Sequence, residues 1–143
     1  MKKIYLLLCF LIVMFVAGCP DRYIEVHIVR SVNSAVMDER ISYGTEFLRH
    51  SLPVTRIATT QLNDGRVKAQ VRVENVISGT LVTAYKFEWL DRDGIVASGS
   101  RWQEKVIFSE GSATLESSAP SVKYAEFKLS LRSAQPIKIV PND

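Results

Sequence analysis

Cysteine is almost absent from this 143-residue chain, and its two examples, Cys9 and Cys19, both fall within the first nineteen residues. Beyond Cys19 no disulfide can form, so the fold must rest on packing alone. A cysteine metal site and a thiol nucleophile are excluded there as well. Histidine is as scarce. His27 and His50 are far apart and lack metal-ligand spacing. A catalytic base also needs a nucleophile within reach, so the bland reading wins: His27 on the polar face of a strand, His50 near a proline turn. Serines are plentiful, but none sits in a Gly-x-Ser-x-Gly elbow. No glycine-rich phosphate loop occurs. Charge of one sign is missing too. Eighteen basic against fifteen acidic residues give +3, and removing Lys2 and Lys3 with an N-terminal signal leaves about +1. A nucleic-acid partner calls for a clustered basic face, so none is expected. The apolar run from Ile4 to Val16 has thirteen residues, short of the about 20 that cross a bilayer core.

What is present begins at the N-terminus. A basic start (Lys2, Lys3), the apolar run, and Val16-Ala17-Gly18-Cys19 follow the layout of a bacterial secretion signal. Ala17 and Gly18 would also suit an ordinary cleavage site, while Pro20 and Asp21 stop any extension of the apolar run into a span. The last four residues resemble the lipobox of bacterial lipoproteins. That resemblance implies cleavage before Cys19 and lipid attachment to it, with residues 1–18 lost as the signal. Stable anchoring takes more than one acyl chain, each buried CH₂ contributing about 0.8 kcal/mol. In enterobacterial lipoproteins aspartate directly after the cysteine marks inner-membrane retention. Here that position is Pro20, so the resemblance implies the periplasmic face of the outer membrane.

Residues 19–143 suit one domain with a real core, and their pattern is β. Ile24, Val26 and Ile28 alternate with Glu25 and His27. This stretch reads either as tether or as a first strand. Arg30 to Thr45 is less legible, with Ala35 to Ser42 readable as a strand or as one helical turn. After Pro53, Val54 to Leu62 is rich in β-branched residues, and Asn63-Asp64-Gly65 makes a hairpin turn. Val67, Ala69, Val71 and Val73 then alternate with polar residues, as in a strand with one wet face. Leu81 to Leu90 puts Leu81, Thr83, Tyr85, Phe87 and Trp89 on one face. Asp93-Gly94 turns the chain toward Ile95-Val96-Ala97, and Trp102 to Phe108 follows, closed by Glu110-Gly111. Ala113 to Glu116 is short. Ala125, Phe127, Leu129 and Leu131 then alternate with Tyr124, Glu126, Lys128, Ser130 and Arg132. A last run, Ile137 to Val140, lies between Pro136 and Pro141. Short strands with turns at this density predict an all-β antiparallel sandwich.

The second half resembles the YcfL family of small bacterial lipoproteins, a domain of unknown function. The residues that carry this are Asn75, Phe87 to Gly94, Trp102, Ala119-Pro120 and Phe127 to Arg132. The resemblance implies an immunoglobulin-like sandwich on a lipid anchor. It supplies no catalytic residues, cofactor or metal.

Asp91-Arg92-Asp93-Gly94 looks faintly like a calcium loop, but its glycine comes too early for an EF-hand, and Asp-Gly after an aromatic strand reads as a hairpin. Trp89 is expected in the core. Trp102 follows the polar Ser98 to Arg101 and is a candidate contact residue at an edge, since tryptophan is enriched at interface hot spots. Tyr124, Glu126 and Lys128, on the polar face of the penultimate strand, complete the candidate set. The expectation is a non-enzymatic, lipid-anchored module that binds a cell-envelope protein. Its alternative is a binder of peptidoglycan or another glycan through Trp102 or Tyr124. A small hydrolase comes third, for want of any nucleophile–base motif.

Overall fold

The computed structural model describes residues 24–26, 35–97 and 99–139; Cys19, His27 and the N-terminal signal lie outside them. Among the described residues, nine strands and one short helix follow in chain order: β1 (Ile24–Val26), β2 (Ile41–Tyr43), α1 (Glu46–Ser51), β3 (Val54–Gln61), β4 (Val67–Glu74), β5 (Leu81–Leu90), β6 (Gln103–Ile107), β7 (Ser112–Ser118), β8 (Glu126–Ser133) and β9 (Ile137–Ile139). A four-stranded sheet of order β2-β8-β5-β6 and a three-stranded sheet of order β3-β4-β7 form the sandwich, and β1 pairs with β9 in a separate ribbon.

The chain alternates between the sheets as in an immunoglobulin-like fold. The β3–β4 hairpin builds one sheet and the β5–β6 pair the other. β7 then returns beside β4, and β8 lies beside β5. The departure is at the edge beyond β8. There β2, from the N-terminal side, pairs parallel with β8 (Ile41 opposite Leu129, Tyr43 opposite Leu131). β1 and β9, in their separate ribbon, are also parallel, so within the sandwich β2–β8 is the one parallel pair among the described strands.

Alternation decides which face of each strand is buried. Ala69, Val71 and Val73 of β4 are fully buried against Leu115 of β7, and Phe127, Leu129 and Leu131 of β8 against β5. Phe127 is the aromatic hub. Its ring lies 5.5 Å from Phe87 and 5.8 Å from Trp89, both tilted, and Tyr85 meets Phe87 edge-on at 6.1 Å. Trp89 is 4% exposed, and its Nε1 donates to Ser117 Oγ across the sandwich at 3.0 Å. The expectation that Trp89 is core holds.

Three details depart from the sequence pattern. First, a helical turn appears where none was expected after Thr45. Its cap is local: Thr45 Oγ1 accepts from Leu48 N at 3.2 Å, and Glu46 complements the helix start. Leu48 and Leu52 are then driven into the core next to β2 and β8. Second, Ile95 to Ala97 forms only one bridge, Val96 to Leu90, because the Arg92–Gly94 loop is tight and Asp91 Oδ1 is spent accepting from Asp93 N and Ile95 N. Third, β8 starts at Glu126, so Ala125 is exposed and Tyr124 is half-buried against the core.

Asn75 ties the two sheets' connections together. It is fully buried, its Nδ2 donates to the carbonyls of Gly79, Ile107 and Phe108 at 2.8–3.0 Å, and its Oδ1 accepts from Ile77 N. In the β6–β7 turn Glu110, not Gly111, takes the positive φ of 56°. Gly111 is there for space: a Cβ would stand 3.0 Å from the Phe108 carbonyl oxygen.

Candidate functional site: the β6 edge and the surfaces beside it

The sheets have four edges, and three are guarded. β2 is only three residues long. β3 is broken by a bulge between Val54 and Arg56, and Val36 N donates to Val54 O beside it. β7 presents serines, Thr114 and Glu116 at its exposed positions. β6 differs. Among the described residues it pairs only with β5, and Gln103, Glu104, Lys105 and Val106 are all exposed. Glu104 and Val106 share the outer face with Ala84 and Val82 of β5. Val106 is 50% exposed, and Trp102 and Phe108, which flank the strand, are 39% and 72% exposed. An apolar row therefore runs along an unpaired strand, interrupted by Glu104. Unpaired edges are templates for another strand.

Trp102 stands over the charged outer face of the four-stranded sheet. The Arg132 guanidinium lies 4.0 Å from its ring centroid and Lys86 Nζ 5.4 Å. Such cation–ring contacts fix the indole where it stands. Lys86 also pairs with Glu88 at 2.9 Å. This leaves Lys128, the cross-strand neighbour of Glu88, without an ion pair among the described residues. Below Trp102, where the two sheets part, a cleft of about 280 Å³ is lined by Phe87, Trp89, Ala97, Arg101, Gln103 and Ser117 among others. Two of its lining side chains, Gln103 and Ser117, already hold hydrogen bonds. Tyr85 OH donates to Gln103 Oε1 at 3.0 Å, and burial pushes the Tyr85 phenol up from its ordinary pKa, with Glu116 adding to the rise.

The other candidate contacts lie elsewhere. Glu126 and Lys128 face outward, as β8's alternation requires, and line a concavity of about 340 Å³ with Glu39, Arg40, Leu90 and Phe127. Tyr124 was expected on that polar face. It instead packs half-buried before the strand begins, with Lys123 Nζ 4.7 Å from its ring. Trp102 sits by Arg132 at the far end of β8, roughly 20 Å from Glu126 at about 3.3 Å per residue. The four candidates thus form two places, not one. No sequence signal marks the unpaired edge, because strand order is set by tertiary pairing.

His50 is exposed at the end of α1, its Nε2 3.1 Å from Glu46 Oε1. Among the described residues no group of three or more His, Cys, Asp or Glu side chains is placed to hold a metal ion, and no helix is long and apolar enough to cross a membrane.

Two solved structures share the fold. A crystal structure of Campylobacter jejuni cj0090 has a TM-score of 0.58 at 18% identity, covering 67% of this chain and 99% of that one. A DUF1425 family member from Shewanella sp. PV-4 has a TM-score of 0.54 at 17% identity, covering 79% of this chain and 97% of that one. No curated protein matches the sequence. Residues 33–133, which take in β2 through β8, match the profile of the family described as a protein of unknown function, DUF1425; the chain belongs to that family.

Proposed function

We propose that the protein is a lipid-anchored, YcfL-like envelope module that binds an extended segment of a partner protein by adding it as a strand along β6. Cys19 carries the lipid, and the domain works at the periplasmic face of the outer membrane. The observation behind the binding mode is the β6 edge: unpaired, exposed over four consecutive residues and flanked by exposed Trp102 and Phe108. Strand addition draws affinity from main-chain hydrogen bonds and specificity from alternate side chains. The row of Trp102, Val106 and Phe108 favours a partner strand with apolar residues at every second position, and Glu104 and Lys105 favour one bearing both charges.

The glycan reading is weaker on the same surface. Sugar stacking needs an open aromatic face, whereas Trp102 has Arg132 against it and Tyr124 is half-buried. Catalysis has no support either, since the described lining of the cleft offers serines but no His, Asp or Glu to act as their base.

A photo-crosslinking residue at Lys105 in living cells should trap one recurrent envelope protein. Val106→Asp combined with Phe108→Asp should abolish that product and leave the fold intact, because both side chains are exposed. A product that persists in the double variant would rule out the β6 edge. Retention of the wild-type domain on peptidoglycan, lost in Trp102→Ala, would establish the glycan reading in its place.

A further inference from the structure

The opposite sheet holds a separate feature. In the β3–β4 hairpin Val54 lies opposite Val73. An unbroken antiparallel register would set Arg56 opposite Val71, which is fully buried. The chain instead inserts Thr55 as an extra residue, and Arg56 comes to lie opposite Arg72 on the solvent face. Bulges re-aim side chains in this way. This one carries two costs. Thr55 Oγ1 is buried with no hydrogen-bond partner, and like charges directly opposite one another destabilise a strand pair.

Neither cost is recovered within the described residues. Neither arginine forms an ion pair there. Arg72 Nη2 donates to Ser112 Oγ at 2.9 Å, and Arg56 makes no side-chain hydrogen bond. The carboxylates on this face are otherwise engaged: Glu116 binds Lys68 Nζ at 2.8 Å and Gln70 Nε2 at 3.1 Å, and Glu74 has its own interaction. Arg56, Ala58, Gln70, Arg72 and Thr114 line a depression of about 190 Å³. Ala58 keeps its floor low, and Thr114 stands across from Arg72 on β7.

We propose that this depression binds a phosphate group between Arg56 and Arg72, with the Thr114 hydroxyl as a further donor. Guanidinium forks match phosphate oxygens bidentately, and two uncompensated positive charges suit a group that offers several oxygens and up to two negative charges. A bound phosphate removes the like-charge repulsion that the bulge creates. The site is on the sheet opposite β6, so it is independent of the strand-addition surface. The phosphate belongs either to an anionic lipid headgroup, such as a membrane-anchored domain meets, or to a soluble phosphate compound.

The test uses the full-length lipidated protein in detergent, titrated with inorganic phosphate while the arginine Nε–H resonances are followed. Arg56 and Arg72 should shift together and saturably, and Arg56→Gln should weaken binding by roughly tenfold or more. Phosphate should raise the melting temperature of the wild type and leave that of Arg56→Gln unchanged. Without phosphate, Arg56→Gln should melt no lower than the wild type, because it relieves the repulsion. The same resonances in phosphatidylcholine bicelles with and without phosphatidylglycerol separate the sources. A shift only with phosphatidylglycerol assigns the headgroup, whereas a shift with inorganic phosphate alone assigns a soluble ligand. If the two arginines respond to neither probe, the site does not exist.

Discussion

Single residues in this domain matter according to what surrounds them, and Trp89 and Asp38 are the sharpest cases. Trp89 fills the middle of the core against Phe127 and spends its one donor on Ser117. Trp89→Ala should cost about 3–5 kcal/mol in denaturant unfolding, the usual penalty for emptying a large aromatic site; a loss below about 1 kcal/mol would contradict its place in the core. Asp38 acts through charge. Its carboxylate accepts from Arg40 N and Nε and pairs with Nη2 at 2.6 Å, while the Arg40 guanidinium lies 5.0 Å from the Phe127 ring. Those hydrogen bonds from Arg40 lower the Asp38 pKa from 3.8 to about 2. A carboxyl depressed by folding stabilises the native state above its unfolded pKa and loses that contribution as pH falls through the folded value. Asp38→Asn should therefore destabilise by about 1 kcal/mol at neutral pH, after allowance for solvent screening. The difference from wild type should fade between about pH 4 and pH 2, which paired urea titrations at several pH values will read.

At the scale of elements, what was legible in the sequence is what local alternation can specify. β4, β5 and β8 follow from their period of two, since one wet face and one buried face leave only one register possible. The Asn63-Asp64-Gly65 and Asp93-Gly94 turns follow from glycines that adopt φ of 83° and 77°. The rest was not legible because it depends on pairing with distant residues. Nothing in Ile41-Ser42-Tyr43 says that it will run parallel to β8, and Glu46 to Ser51 is too short for a helical period to show. The same limit hid both candidate surfaces. Trp102 could be placed at an edge from the polar residues before it, but not the unpaired state of β6. Nothing in the sequence sets Arg56 opposite Arg72, because a one-residue bulge leaves no mark on composition. That bulge can be tested directly. Thr55 keeps a buried hydroxyl without a partner, and such a group is costly compared with an apolar group of the same shape. Thr55→Val, which also suits a strand, should raise stability by about 1 kcal/mol and leave the Arg56–Arg72 face unchanged. A loss of stability would show that the hydroxyl is satisfied in solution.

For the whole molecule the main question is how the sandwich and its N-terminus relate. Among the described residues, every member of the hydrophobic cluster lies from Ile41 to Leu131, within β2 to β8, and no cysteine falls in that range. The fold should then be indifferent to what is attached at Cys19, while under the proposed anchor location depends on it. Two lipid-type signals suffice to hold a protein at a membrane, and one acyl chain alone holds it only reversibly. Cells given labelled palmitate should incorporate it into the wild-type protein and not into Cys19→Ala. The variant should leave the membrane fraction yet keep the wild-type melting temperature and strand-rich circular dichroism, because no disulfide is lost with the sulfur. Lysates would also show whether the Lys105 crosslink survives release from the membrane. If it does, strand addition at β6 selects the partner by itself. Should the label appear on Cys19→Ala, or be missing from the wild type, the anchor is wrong and strand addition at β6 would have to work without a membrane tether.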